Sequence, residues 1–299
     1  MQQVTRKTLG AGINLTCVTT PKFKRAVLRA MLVLPLGGED AALRACLPQV
    51  LRRGTAKLND MQAFGTALDE LYGARIEAAV RKEGENLCIG FLSDCIDEAY
   101  APGADGLTAS VIGLLCDLLY DPYLQDGLFC AAYVEGERGN LIDRIAALKN
   151  DPSSWAPRRL NEIMCENEDY GKSALGTIEQ AERITSETLY AAYRRALSEA
   201  QVELFYCGTM MPDEVEARFM ATPLAQPREG TLYQPHTIVQ VRPVGDVHEV
   251  VEDAEVTQGK LSLGFRTGGA SLTGGEPAAY WMFQTIYGGS TSAKLFLNV

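Results

Sequence analysis

Histidine is almost missing from this chain, with only His236 and His248 in 299 residues. His236 follows Pro235 at the end of a proline-rich stretch and reads as exposed. The stretch "HEVVED" at 248–253 begins like the H-E-x-x-H zinc helix but has Glu252 where the second histidine belongs. Its valines alternate as in a strand. On a strand His248 and Glu252 would stand about 13 Å apart at ~3.3 Å per residue, too far to hold one ion. It reads as a solvent-facing strand edge. Equally absent are a G-x-S-x-G elbow, a G-x-x-x-x-G-K-[ST] loop and any C-x-x-C pair. "GGASLTGGE" at 268–276 is glycine-rich but carries no basic residue, so it reads as a loop before a helix.

Positive charge is also in short supply: 28 Lys and Arg stand against 38 Asp and Glu, a net charge of −10. No long basic run exists, which argues against nucleic acid or an anionic membrane surface as partner. The longest strongly apolar stretch, "AMLVLPL" at 30–36, is far too short to span a bilayer. The start, "MQQVTRKTLGAGINL", lacks the apolar core of a secretory signal. Eight scattered cysteines, most of them inside apolar patterns, read as buried thiols suited to a reducing cytoplasm. The expectation is a soluble, acidic, cytoplasmic protein.

What is present is regular patterning. "RAVLRAMLVL" at 25–34 reads as a strand, followed by Gly37-Gly38 and a helix from about Glu39. "NDMQAFGTALDELYG" reads as a helix with Asn59 or Asp60 as N-cap and Gly73 as stop. "ARIEAAVRK" and "NLCIGFLS" read as strands of a hairpin joined through Glu83-Gly84-Glu85. Helical periodicity covers 105–120, about 126–149, 154–165 and 185–198. "VELFYCG" at 202–208 reads as a buried strand, and "PDEVEARFM" opens a helix with proline in its first turn. Hairpins interleaved with paired helices predict an α+β fold, an antiparallel or mixed sheet with helices packed on one face.

Three prolines and little apolar pattern make 221–235 the expected linker. Beyond it, "VHEVVEDAEV" and "GKLSLGFRTG" read as strands and "EPAAYWMFQTIYGG" as a helix. A strand, a Gly-Gly, a helix and a Gly with Ser/Thr occur at 25–55 and again at 260–292. The expected organisation is a first domain over 1–220, the linker, and the start of a related second domain over 236–299. Because "STSAKLFLNV" looks like a helix start without its body, the chain is expected to be a piece of a longer protein.

One stretch poses the functional question. "RACLPQVLRRGT", 44–55, reads as a helix with Pro48 inside it, a placement that costs about 3 kcal/mol in a helix interior. Ala45, Pro48 and Gln49 share the i, i+3, i+4 face. The stretch resembles the active-site helix of the pitrilysin/insulinase-type zinc peptidases, commonly written H-F-L-E-H-M-L-F-K-G-T. Anchored on Gly54-Thr55, the two histidine positions fall on Ala45 and Gln49 and the glutamate on Pro48. "ERGNLIDRI" at 137–145 resembles the family's later E-R-G-V-I-L-R-E-M segment, with Arg144 at the glutamate ligand position. "ELYGARIEA", "LLCDLLYDPYL", "SALGTIEQAERITSETLYAAYRRAL" and "VELFYCGTMMPDEVEARF" follow in the family's order. "YGGSTSAKLFLNV" is similar to the start of a second-domain Gly-Gly-x-x-S motif.

The resemblance implies a peptidase-like domain whose metal site is degenerate. Zinc needs protein ligands and a carboxylate base to use the bound water. Ala45 and Pro48 offer no donor, Gln49 is a poor ligand and Arg144 brings a permanent cation. The expectation is no catalytic residue, no metal and no cofactor. By resemblance Arg144 is expected beside the 45–49 face, as a buried guanidinium partnered by Glu137, Asp143 or Gln49. Gly288, Gly289 and Ser290 become candidate peptide or partner contacts. Family members of this kind typically pair with an active sister subunit carrying an intact zinc motif and bind unfolded peptides. "LRRGT", "DELYGA" and "GTIEQAERIT" look most like the bacterial inactive subunits named for an association with elongation factor P modification, and no residue here supports such chemistry. The alternative is a stand-alone peptide-binding or scaffold protein.

Overall fold

In a computed structural model, residues 3–226, 228, 230–236, 245–253, 256–266 and 276–298 are described. Two compact units divide the chain, Met1–His236 and Thr237–Val299.

The first unit begins with a hairpin of β1 (Gln3–Gly10) and β2 (Ile13–Thr19), followed by β3 (Arg25–Pro35). Helices α1 (Ala41–Leu51) and α2 (Met61–Glu70) follow, then the hairpin of β4 (Arg75–Glu83) and β5 (Asn86–Ile96). Next come α3 (Leu107–Tyr120), a minimal hairpin of β6 (Leu124–Gln125) and β7 (Leu128–Phe129), α4 (Ala131–Ala146) and α5 (Pro152–Met164). The unit closes with α6 (Ile178–Glu182), α7 (Ser186–Glu199), β8 (Gln201–Gly208) and α8 (Pro212–Met220). Six strands form one sheet in the order β1-β2-β8-β3-β5-β4. Only β2 and β8 pair in parallel; the other neighbours are antiparallel. The α+β fold with a mixed sheet is therefore as the sequence predicts.

Period-two alternation sorts the two faces. On β3, Leu28, Ala30, Leu32 and Leu34 enter the main core, while Met31 and Val33 join a small cluster with Ala79 and Cys88. Helices α1, α3, α7 and α8 lie against the strands. The register Glu83↔Asn86 makes β4–β5 a two-residue hairpin, with Gly84 at φ +63 accepting the left-handed turn. Gly90, at φ +151 in mid-strand, is obligatory, because a Cβ there would collide with the carbonyl oxygen of Ala30. Asp60 caps α2 by accepting from the Ala63 N–H at 2.7 Å.

The described residues of 221–236 hold one short 3₁₀ turn, Pro223–Ala225, and are tied to the first unit. Arg228 donates to the carbonyls of Leu197 and Ala200, and the Tyr233 hydroxyl donates to Asn86 at 2.8 Å. Tyr233 packs on the Met31/Val33 cluster.

In the second unit, helix α9 (Glu276–Gly288) is followed by α10 (Lys294–Asn298). The strands expected at 247–256 and 259–268 are corrected over their described residues: 247–253, 256 and 259–266 join no ladder. Val247, Val251, Leu261 and Phe265 are solvent-exposed there, so the alternation in the sequence has no sheet partner to reward it. The glycine-rich stretch at 267–275 lies outside the described residues.

Candidate functional site: a helix pair without metal ligands

Two glycines launch the helix that matters. Gly37 and Gly38, at φ +81 and +83, turn the chain out of β3, and Arg44 reaches back to the carbonyl of Pro35 at 2.9 Å. Burial pulls the Arg44 guanidinium below its ordinary range, and Asp40 opposes that by holding the charge. The loop before α6 leans on the same helix start: a Cβ on Gly176 would come within 2.6 Å of the Ala42 nitrogen. Gln180 donates to the Gly38 carbonyl at 3.1 Å. At the other end, Gly54 and Thr55 turn the chain away. The buried Thr55 hydroxyl accepts from the Leu58 N–H at 3.1 Å, and a Cβ on Gly54 would crowd the Leu58 carbonyl at 2.7 Å. The Gly-Thr on which the family pattern is anchored is thus a structural stop for α1.

Between these ends α1 continues through Pro48 to Leu51, and Arg52 N–H closes on the Pro48 carbonyl at 3.1 Å. Ala45 and Pro48 are buried; Gln49 is half-buried. Helix α4 packs beside α1. Gln49 from α1 and Glu137, Asn140, Asp143 and Arg144 from α4 line one cleft of about 450 Å³. Glu137 and Arg144 are two turns apart on α4, so both side chains reach the same side.

The electrostatics of that cleft differ from the sequence-based picture in one respect. Arg144 is exposed, not buried, and among the described residues it makes no hydrogen bond or ion pair. The partner expected for it is taken. Glu137, 9% exposed at its side chain, accepts from Arg53 Nε at 2.7 Å and from Arg53 Nη2 at the same oxygen. Its other oxygen accepts from Asn140 Nδ2 at 3.1 Å. An exposed guanidinium needs no protein counter-charge because water solvates it, whereas a buried carboxylate does need one. Arg53 was missed in the sequence; its signal is the four-residue step from Gln49, which carries the α1 face one turn on. Behind the cleft, burial pushes the Cys46 thiol up to about 12, helped by Glu137 and opposed by Arg144 and Arg138. That thiol stays protonated and inert.

A metal ion does not fit this donor set. A methyl group, a proline ring, an amide and a guanidinium stand at the expected ligand and base positions. Among the described residues no three His, Cys, Asp or Glu side chains group as a metal site. The remaining candidates, Gly288, Gly289 and Ser290, end α9 in the other unit. The Ser290 carbonyl accepts from Ala293 N–H at 3.0 Å, and a Cβ on Gly289 would approach Thr285 Cα at 2.9 Å. No described helix is long and apolar enough to cross a membrane.

Comparison with known proteins gives this geometry its context. No protein-family model matches the chain. It is 31% identical over 294 residues to the probable inactive metalloprotease YmfF of Bacillus subtilis, covering 98% of this chain and 68% of that protein. A conserved protein from Enterococcus faecalis superposes with a TM-score of 0.81 at 22% identity, over 99% of this chain and 68% of the other. The peptidase M16 inactive domain from Pseudomonas fluorescens gives a TM-score of 0.56 at 15% identity, over 78% of this chain and 54% of the other. The chain thus spans about two thirds of the first two and about half of the third. It belongs to the pitrilysin/insulinase-type zinc peptidase family, as an inactive homologue without the metal ligands and the catalytic glutamate.

Proposed function

We infer that the chain is a non-catalytic subunit of a two-chain peptidase, contributing to peptide binding and to the wall of a shared chamber. Its partner is a sister subunit with an intact zinc motif, and its ligands are unfolded peptides. One observation carries the reading: the α1–α4 pair keeps its packing and an open cleft, while Ala45, Pro48, Gln49 and Arg144 replace the chemistry. A fold maintained around a site without a donor set fits binding and not turnover. In this reading residues 1–220 are the peptidase-like domain and 236–299 open a related second one. Gly288, Gly289 and Ser290 then contact peptide or partner. Eight cysteines without disulfides are consistent with a cytoplasmic setting.

The test is affinity purification of the full-length protein from its native host. Stoichiometric recovery of a homologue carrying H-x-x-E-H, with peptidase activity only in the mixture, supports the reading. A chain that binds unfolded peptides with no such homologue present would instead make it a stand-alone binding protein.

A further inference from the structure

The cleft between α1 and α4 has exchanged the chemistry of a cation site for that of an anion site. Glu137 is neutralised by Arg53, and Asn140 donates one amide hydrogen to the same carboxylate. That leaves the Gln49 amide and the Arg144 guanidinium lining the cleft with no hydrogen-bond or ion-pair partner among the described residues. A planar guanidinium beside an amide N–H₂ matches the two oxygens of a carboxylate. Asp143, one residue back and about 100° round the helix, is the only opposing charge in the lining that lacks a partner of its own.

A second, larger cleft of about 680 Å³ takes over at the next residue of α4, Ile145, with Ala41, Leu148, Trp155 and Ile178 among its walls. Trp155 is half-buried and oriented by cations, with Lys149 Nζ 5.6 Å and Arg159 5.9 Å from its ring centroid. Ala41 in this recess and Gln49 in the first cleft lie eight residues apart on α1, about 12 Å along the helix axis. An extended peptide covers that span in three to four residues.

We propose that this face binds a peptide carboxylate at Arg144 and Gln49, with an apolar side chain three or four residues away entering the recess beside Trp155. The inference rests on the peptide-binding reading above and narrows its substrate class. The carboxylate comes from a chain terminus or from an Asp or Glu side chain, which share one chemistry.

The experiment uses fluorescence anisotropy on the full chain with labelled nine-residue peptides that all carry one Phe. One pair has a free or an amidated C-terminus three residues after the Phe; a second pair, amidated, carries Asp or Asn at that position. Loss of the carboxylate is expected to weaken binding about tenfold in the pair that matches the true source, the size of one charged hydrogen-bonded contact. Arg144→Gln should erase that difference while leaving the melting temperature unchanged, because the guanidinium is exposed and unpaired. Gln49→Ala should reduce the difference, and Asp143→Asn should tighten acidic peptides about twofold by removing the opposing charge. Equal binding within both pairs would overturn the carboxylate site and leave general peptide binding standing. No binding by any peptide would overturn both.

Discussion

If the Arg53–Glu137 bridge is what ties the end of α1 to the middle of α4, its removal should be felt as one coupled loss. In a metal-bearing member of the family, ligands from the two helices would meet on the ion; here a charge pair spans the gap. Glu137 is 9% and Arg53 31% exposed at the side chain, so the two partners are unequal. Arg53→Ala strands a buried carboxylate with only the Asn140 amide at 3.1 Å, a cost of about 3 kcal/mol. Glu137→Ala leaves a guanidinium that can turn to water and retains its contact with the Tyr133 ring at 5.8 Å, so about 1.5–2 kcal/mol is expected. The double variant should cost less than the sum, by a coupling of about 1–2 kcal/mol, the half-buried arginine keeping it below the figure for a fully buried pair. Urea unfolding followed by circular dichroism reads this directly. At about 2–4 °C per kcal/mol, Arg53→Ala should melt about 6–12 °C early. A coupling below about 0.5 kcal/mol would show that the pair behaves as a surface ion pair and that packing alone holds α1 to α4.

The native chain should hold no stoichiometric zinc by metal analysis, whereas Ala45→His with Gln49→His and Arg144→Glu should gain a zinc-dependent rise in melting temperature. Ala45 is fully buried, so the histidine should first cost about 1–3 kcal/mol by overpacking. A folded triple variant that ignores zinc would refute the correspondence of these positions. Stability should fall steeply above pH 9: burial raises the thiols of Cys17 and Cys88 to about 11 and of Cys46, Cys95 and Cys116 to about 12. The sign follows because the unfolded chain loses these protons first, so each thiol lowers stability by about 1.4 kcal/mol per pH unit between its unfolded and folded values. A flat melting temperature from pH 8 to 10.5 would contradict their burial. Finally, Trp281, Met282, Phe283, Ile286, Phe296 and Leu297 are exposed on α9 and α10. At about 25 cal/mol per Å², a few hundred Å² of such surface favours association by several kcal/mol. Light scattering across a concentration series should show self-association that a chain ending at His236 lacks; a strictly monomeric full chain would refute it.

Local patterns were legible where one residue type dictates one backbone state. The β3 run, the Asp60 cap and the Gly84 turn all follow from rules acting within a few residues. So did the loss of ligands, because Ala45 and Pro48 have no donor atom whatever surrounds them. Order of strands was not legible: β8 slots between β2 and β3 although about 180 residues of chain separate it from β2, since pairing is settled by long-range packing. The valine-rich strand signal at 247–251 failed for the same reason, a strand being stable only against a partner. The site divided along this line too. Sequence placed Gln49 and Arg144 at matching positions, but only tertiary structure decided which cation neutralises Glu137. That choice fell to Arg53, because the buried carboxylate is met by the side chain turning in at the end of α1, while Arg144 stands at the rim where water already solvates it.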